Sequence, residues 1–371
     1  MHSLLLLVIV VGAALAFDFT NGFHDTANVI AAAIATRSMS PRVAIAMAAV
    51  LNFAGAFISL KVAATVATGI VDANRITETI VFAGLVGATL WNLATWAFGL
   101  PSSSSHALIG GVSGAMLAAV GGGVKVGGLV DKVIVPALVA PLAAFLIAAV
   151  VITIVYRLFA QRNPGTVKRG FRGGQILSSA VLAIAHGTND AQKTMGVITL
   201  ALVAHGTLSP QHLHVPTWVV ICSASAIALG TYAGGWRIIR TVGSRIIRMD
   251  PAQGFVAQST SAVVILVSSH LGYPLSSTHV ISGGIVGAGA GKSVNAVRWG
   301  VARSIAVAWV ITLPLAGLFG AAVYGISRGI GSGTTGPLVI AIVALLLVGG
   351  GTANRRRRLT AAAAAAAMAS G

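Results

Sequence analysis

Long apolar runs separated by short polar and basic stretches make up almost the whole chain. A membrane-spanning α-helix needs about 20 predominantly apolar residues, and runs of about this length recur along the sequence. They lie at about residues 4–35, 43–70, 79–99, 101–123, 133–157, 173–203, 216–236, 253–271, 274–291, 304–327 and 336–352. The pattern predicts an all-α polytopic membrane protein.

The composition agrees with a membrane protein and disfavours soluble classes. Of the 371 residues, 56% are hydrophobic and 8% are charged, whereas a soluble domain carries about 25% charged residues. Lysine and arginine outnumber aspartate and glutamate by 24 to 7, but they lie in short clusters between apolar runs, which argues against nucleic acid as a partner. The single Cys222 excludes a disulfide framework and a zinc cluster. No lysine or arginine precedes the first run, so we expect a retained membrane segment and not a signal peptide.

The basic clusters predict the orientation in the membrane, because cytoplasmic loops carry an excess of lysine and arginine. The clusters follow odd-numbered apolar segments, at residues 37–42, 157–172, 237–248, 292–303 and 355–358. We therefore expect a multi-pass protein of the plasma (inner) membrane, with its N-terminus outside and its C-terminus in the cytoplasm.

Two motifs recur in the same order. NGFHDTAN at residues 21–28 pairs with HGTNDAQK at 186–193, and PSSSSH at 101–106 pairs with PLSSTH at 274–279. Five segments separate the copies, an odd number, so the second half enters the membrane from the opposite side, as in the inverted repeats of secondary transporters. Irregular backbone inside a membrane is tolerated only around a cavity, so we expect each Ser-rich motif at the tip of a re-entrant hairpin.

This organisation divides the chain into four parts. They are a first inverted repeat at 1–158 with a hairpin at about 79–123, a cytoplasmic basic loop at 159–172, a second inverted repeat at 173–328 with a hairpin at about 253–291, and a last transmembrane segment with a cytoplasmic Arg/Ala tail at 329–371. Two five-segment halves and one C-terminal segment result.

Three carboxylates interrupt the apolar segments: Asp18, Asp25 and Asp190. A charge at membrane depth costs at least about 2.5–3.5 kcal/mol on insertion scales, so each needs a partner or a function. Asp25 and Asp190 match in the repeats, and a carboxylate beside amide and hydroxyl oxygens suits Na⁺ or a proton. Alternatively, they only pair with Lys193 or Lys61 to hold the bundle together. The candidate coupling-ion residues are Asp25, Asn28, Asp190, Asn21 and Asn189, of which Asp25 and Asp190 would ligate Na⁺ in a sodium-coupled protein.

The hydroxyl-rich motifs each follow a proline and open an apolar helix. A helix N-terminus offers unpaired N–H groups and a positive dipole end, and several added hydroxyls make a neutral, donor-rich cup for an oxyanion such as phosphate. Simple N-capping is the alternative, but it needs one Ser or Thr and not a run. The candidate phosphate-binding residues are Ser102, Ser103, Ser104, Ser105, Ser276, Ser277, Thr278 and Lys193.

Four histidines accompany the motifs, at His24, His106, His186 and His279. Histidine titrates near neutral pH, so these side chains are candidates for a proton relay. The alternative is that they only hydrogen-bond the backbone. Neither role is favoured by the pattern alone.

The motifs resemble those of the PiT family of inorganic phosphate transporters. NGFHDTAN at 21–28 and GTND at 187–190 look like its duplicated Gly-x-Asn-Asp signature, and PLSSTH at 274–279 looks like its hairpin motif. The resemblance covers about residues 15–300. It implies a fold of inverted repeats with two re-entrant hairpins, and phosphate between the hairpin tips and the two Asp helices with coupling ions alongside.

The chain also departs from the family pattern. His24 stands where the signature has Asn, and Ser105 stands where the hairpin motif has Thr. Gln192 and Lys193 replace the Ala-Asn of sodium-dependent members, which resembles the bacterial, proton-coupled branch. An ammonium cannot ligate a cation, so our hypothesis is that Lys193 replaces one bound Na⁺ and leaves proton coupling to a carboxylate or a histidine.

The sequence therefore predicts a secondary active transporter that imports inorganic phosphate by symport with H⁺ or Na⁺. No cofactor besides the coupling ion is expected, and the partners are phosphate and the lipid bilayer, with a homo-oligomer left open. Alternatives are a metal-phosphate complex as cargo, another oxyanion such as sulfate, or an anion channel. No nucleophile–base arrangement stands out, so we do not expect an enzyme.

Overall fold

The computed structural model describes residues 3–209 and 211–348, and every regular element in this part of the chain is a helix. The α-helices are α1 (Leu4–Ala35), α2 (Pro41–Gly55), α3 (Lys61–Gly69), α4 (Glu78–Phe98), α5 (Ser104–Val120), α6 (Val126–Leu129), α7 (Val135–Phe159), α8 (Pro164–His205), α9 (Thr217–Ala233), α10 (Trp236–Arg240), α11 (Pro251–His270), α12 (Ser277–Lys292), α13 (Trp299–Ile330) and α14 (Thr335–Val348). A π-helical turn joins α6 to α7, and another follows α10.

Several of these helices can cross a membrane. Among the described residues, five helices are long and apolar enough: α1, α4, α11, α13 and the continuous helix from α6 to α7. A sixth span results if α9 and α10, which are bent by 61° relative to each other, count as one. The expectation of a multi-pass helical membrane protein is confirmed.

Three predicted segments differ from the helices in the structure. The segment 43–70 breaks into α2 and α3, and the segment 216–236 bends at Gly234, whose φ of +73° favours glycine. The basic stretch 159–172, predicted as a loop, is helical from Pro164 onward because Asn163 caps α8 and Pro164 occupies its first turn. At about 1.5 Å per residue, the 42 residues of α8 exceed a hydrocarbon core of about 30 Å. The predicted Arg/Ala tail lies outside the described residues.

The two Ser-rich motifs lie at matching breaks between helices. Gly99 ends α4 with a φ of +65°, and Gly272 follows α11 with a φ of +81°. Each break then contains a proline and a serine that caps the next helix, α5 or α12. These two helices have 17 and 16 residues, fewer than the roughly 20 that a full span needs.

Helices from the two halves of the chain pack against each other. Helix α5 packs against α13 as well as α4, and α12 packs against α7 as well as α11. Helix α1 packs against α9, and α8 packs against α2 and α11. Glycines allow the closest crossings: a Cβ at Gly187 would lie 2.1 Å from the carbonyl oxygen of Asn52, and one at Gly22 would lie 2.4 Å from that of Ile227.

Replacing Gly187 by alanine should therefore separate α8 from α2. We expect Gly187→Ala to lower the free energy of unfolding by about 1–3 kcal/mol, the usual cost of overpacking, measured as thermal unfolding in detergent. Gly170 lies in the same helix with no atom within 4 Å of a built Cβ, so Gly170→Ala is the matched control and should be neutral or slightly stabilising. Equal stability of the two variants would contradict the close crossing.

A carboxylate caps α11 outside the apolar segments. Asp250 accepts a hydrogen bond from the backbone N–H of Gln253, from the Tyr156 hydroxyl at 2.5 Å and from Lys292 Nζ at 3.0 Å. Burial by itself raises the pKa of this carboxyl, but these hydrogen bonds outweigh burial and hold the pKa below its ordinary value.

A carboxyl whose pKa is lowered in the folded state stabilises the fold at pH values above its ordinary pKa. This stabilisation is lost as the pH falls through the folded-state pKa. At neutral pH we expect Asp250→Ala to cost about 0.5–2 kcal/mol, as for other N-caps. The difference from the wild type should shrink below about pH 4, near the ordinary carboxyl pKa. Thermal unfolding across pH tests this, with the exposed Asp131→Ala as control; a difference that does not change with pH would refute the assignment.

Candidate functional site

The sequence-predicted site residues are brought together at one place. The middle of α1, the middle of α8 and the first turns of α5 and α12 meet there, and each candidate side chain is at most 5% exposed. The members are Asn21, His24, Asp25, Asn28, Ser102, Ser103, Ser104, Ser105, His106, His186, Asn189, Asp190, Lys193, Ser276, Ser277, Thr278 and His279.

Asp25 on α1 is held by the tip of α12. The hydroxyl of Thr278 donates to Asp25 Oδ1 at 3.0 Å, and Asn28 Nδ2 donates to the same hydroxyl at 2.9 Å. His24 Nδ1 lies 2.8 Å from Asp25 Oδ1. One helical turn of α1 thus presents a carboxylate and an amide to one hydroxyl of the second Ser-rich motif.

Asp190 on α8 has a denser set of partners. Ser277 donates to its Oδ2 at 2.8 Å, and His186 Nε2 lies 2.8 Å from the same oxygen. Lys193 forms an ion pair with its Oδ1. The carboxylate is fully buried, so the ammonium supplies the compensating charge that such a group requires.

Lys193 connects Asp190 to both Ser-rich tips. Besides the ion pair, its Nζ donates to Ser105 Oγ and to the carbonyl oxygen of Leu275 at 2.6 Å. Ser105 Oγ itself donates to that carbonyl at 3.1 Å. The alternative in which Asp190 pairs with Lys193 is therefore observed, but the same ammonium also contacts the predicted phosphate-binding hydroxyls.

N-capping accounts for only one serine in each tip. Ser103 Oγ accepts from the backbone N–H of His106, and Ser276 Oγ accepts from that of His279. Of the other hydroxyls, those of Ser277 and Thr278 face the carboxylates and that of Ser105 contacts Lys193. The hydroxyl of Ser102 donates to Thr95, and Ser104 Oγ has no hydrogen-bond partner among the described residues. The remaining hydroxyls are consequently free of a capping role.

The four candidate histidines divide into two pairs. The rings of His106 and His279 meet edge-on, with centroids 4.8 Å apart, where the two tips touch. His24 and His186 instead lie against Asp25 and Asp190. The second pair therefore lies against the carboxylates of the two Asp helices.

Two residues that contact the site were not predicted from the sequence. Thr95 on α4 lies between His24 Nε2 at 3.1 Å and the Ser102 hydroxyl at 2.8 Å, and so connects an Asp helix to a tip. Asn52 on α2 lies 3.2 Å from His186 Nδ1. An asparagine in an apolar run was a usable signal, whereas a helical threonine that bonds its own backbone carries none.

Asn189 is buried in this region but does not face the carboxylates. Its Nδ2 donates to Ser269 Oγ at 2.8 Å and to the carbonyl oxygen of Tyr273 at 3.2 Å. The amide therefore ties α8 to the end of α11 and to the loop before α12.

A cation could be held between the two carboxylates. Asp25, His186 and Asp190 offer ligand atoms that all lie within 4.8 Å of one another. In this arrangement, however, the ammonium of Lys193 already neutralises Asp190. The donor set fits a cation. The ammonium of Lys193 occupies part of the space that a cation would fill and supplies part of the positive charge that it would bring.

Comparison with known proteins identifies the family of the chain. Residues 21–320 match the profile of the Phosphate transporter family. The chain belongs to the phosphate transporter family. It is 56% identical over 330 residues to a "Probable low-affinity inorganic phosphate transporter" of Mycobacterium bovis, covering 89% of this chain and 79% of that protein. It is 43% identical over 324 residues to a protein of the same description from Bacillus subtilis, covering 86% and 97%.

A solved structure shares the fold of this family member. The structure described as "The sodium-dependent phosphate transporter" superimposes with a TM-score of 0.79, covering 88% of this chain and 99% of that chain at 24% identity. The likeness supports the arrangement of helices, while the composition of the site rests on the residues themselves.

In this transporter the ion pair of Lys193 can be tested by a double-mutant cycle. Lys193→Met leaves the buried carboxylate of Asp190 without its countercharge, so we expect a loss of about 3–5 kcal/mol in the free energy of unfolding. Adding Asp190→Asn should recover most of it. The exposed Lys61→Met is the control. If Lys193→Met is as stable as the control, the ammonium does not neutralise Asp190.

Proposed function

We propose that the protein is a secondary active transporter that imports inorganic phosphate by symport with a cation. The observation that carries this proposal is the meeting of two buried carboxylates and two hydroxyl-rich helix starts around one ammonium, Lys193. A centre of this kind holds donors for an oxyanion directly beside acceptors for a cation.

The donors suit phosphate. Ser105, Ser277 and Thr278 now donate to a carbonyl or a carboxylate, and a hydroxyl can rotate to donate to a bound oxyanion instead. The N-termini of α5 and α12 add unpaired N–H groups and a positive dipole end. Lys193 adds one full charge, so an anion placed between the tips meets partners from both halves.

Equivalent contacts support an inverted repeat around this centre. Asn28 lies three residues after Asp25 and donates to Thr278, and Lys193 lies three residues after Asp190 and donates to Ser105. Each Asp helix therefore contacts the hydroxyl tip of the other half, and α8 also contacts the tip of its own half through Ser277 and Leu275. We interpret the two Ser-rich tips as the tips of re-entrant hairpins. We further propose that the N-terminus of the chain lies outside the cell and its C-terminus lies in the cytoplasm.

The difference between Asn28 and Lys193 bears on the coupling ion. The amide of Asn28 can lend an oxygen to Na⁺, whereas an ammonium stands in place of a cation. We therefore favour H⁺ as the coupling ion, with His24 and His186 beside the carboxylates as relay groups.

Radiolabelled uptake into proteoliposomes tests the centre. Wild-type protein should accumulate phosphate in Na⁺-free buffer when a proton gradient is imposed, and should accumulate less sulfate. Asp25→Asn and Asp190→Asn should each reduce phosphate uptake by at least tenfold, since each removes the negative charge and one of the two acceptor oxygens beside a tip hydroxyl. The exposed Asp131→Asn is the matched control.

Four results would contradict the proposal. Equal uptake by the wild type and both variants would refute the centre, and preferential sulfate uptake would identify a different oxyanion. A strict requirement for Na⁺ would overturn proton coupling. Single-channel currents in planar bilayers would instead identify an anion channel.

A further inference from the structure

A third membrane carboxylate, Asp18, takes no part in the centre described above. It lies on α1 and is fully buried, and neither of its oxygens has a hydrogen-bond partner among the described residues. Asp25 and Asp190, by contrast, each accept a hydrogen bond from a hydroxyl and lie beside a histidine. A buried carboxylate left in this state as an anion costs several kcal/mol.

The polar neighbours of Asp18 are unsatisfied as well. Asn21, one turn further along α1, and Thr194 on α8 lie beside the carboxylate. Asn21 Oδ1 and Thr194 Oγ1 are buried without a hydrogen-bond partner in the described part of the chain. Four unpartnered oxygen atoms therefore occur together between two helices.

All four atoms are hard oxygen ligands, the type that small alkali cations prefer. Both α1 and α8 continue as helices through this region, so their backbone carbonyls are used within the helices and the ligands must come from side chains. The amide of Asn21 can turn its oxygen toward a bound cation or its nitrogen toward an empty carboxylate.

The neighbouring lysine acts on Asp18 only at a distance, without a hydrogen bond to it. The charged groups that act on Asp18 are Asp190 and Lys193, both on α8. The donors of Lys193 are directed at Asp190, at Ser105 and at a backbone carbonyl. A mobile cation is the remaining source of positive charge.

We propose that Asp18, Asn21 and Thr194 form a further cation site, in addition to the carboxylates of the centre, which holds a coupling proton on the Asp18 carboxylate or a Na⁺ ion beside it. This proposal rests on the proposed function, and it places the cation outside the centre where phosphate is held. Asp18 precedes Asp25 by two helical turns, and Thr194 directly follows Lys193. A cation here adds positive charge beside the Lys193–Asp190 pair and so favours an anion, and by linkage phosphate favours the cation.

Binding can be measured without transport. Purified protein in phosphate-free detergent buffer is heated in NaCl or choline chloride at equal ionic strength, and across pH in choline chloride. Wild-type protein should be stabilised by Na⁺ or by protons, since a ligand that binds the native state raises the unfolding temperature. Asp18→Asn should lose that particular response, whereas the exposed Asp131→Asn should keep it.

The comparison of NaCl with choline chloride and the pH series together identify the cation. A response to NaCl that is lost in Asp18→Asn identifies Na⁺. A response to pH alone identifies the proton, and the infrared carbonyl band of a buried protonated carboxyl should then be present in the wild type and absent in Asp18→Asn. An Asp18→Asn protein that keeps the full wild-type response, or a wild type that responds to neither cation, overturns the site.

Transport distinguishes this proposal from the proposed function. In proteoliposomes, Asp18→Asn should still exchange external for internal phosphate but should fail to accumulate it against a gradient, and Asp18→Glu should restore part of the accumulation. If a folded Asp18→Asn protein loses both phosphate exchange and phosphate accumulation, Asp18 is a structural residue and the proposal is overturned. A wild type that exchanges no phosphate at all would instead refute the phosphate function, and the thermal measurement would still decide the cation site.

Discussion

The site depends on one buried ammonium. Lys193 contacts the carboxylate of Asp190, the first turn of α5 through Ser105 and the loop before α12 through Leu275. Three elements distant in sequence are thereby fixed against one another by charge-assisted hydrogen bonds, which are about twice as strong as neutral ones. Without that charge, the fully buried carboxylate of Asp190 would keep only the Ser277 hydroxyl and His186 as neighbours.

The same constraint explains why the matching positions differ. Asn28 makes the corresponding contact to Thr278 with a neutral amide, and Asp25 lies beside His24 and accepts one hydrogen bond from the Thr278 hydroxyl. Asp190 is thus paired with an ammonium, whereas Asp25 has no lysine at the corresponding position. A centre with this asymmetry can bind one anion and still respond to a mobile cation.

Close helix crossings make this meeting possible. Membrane helices gain little from hydrophobic burial against each other, so small residues at crossings set how near the backbones come. Gly22 and Gly187 each allow such a crossing one turn before the carboxylates Asp25 and Asp190. The glycines therefore set the positions of the two Asp helices and, with them, the positions of the two carboxylates.

Much of the fold was determined by local sequence, because apolar length and breaking residues act over a few positions. Helices α1 and α4 begin and end within one residue of the predicted segments 4–35 and 79–99, and the serine caps of α5 and α12 follow from Pro101 and Pro274. The matched motifs identified the site residues, and the i,i+3 spacing of Asp190 and Lys193 allowed their pairing. The basic stretch 159–172 is helical from Pro164 onward behind the Asn163 cap, a local signal that the prediction missed. Local signals failed where tertiary packing decides, because Thr95 joins the site through the spatial neighbours His24 and Ser102. Which tip meets which Asp helix, and which buried oxygens remain unpartnered around Asp18, depends on contacts between residues far apart in sequence. Only the folded structure decides these contacts, because a polar atom in a membrane protein is satisfied or left bare by neighbours that its own helix does not specify.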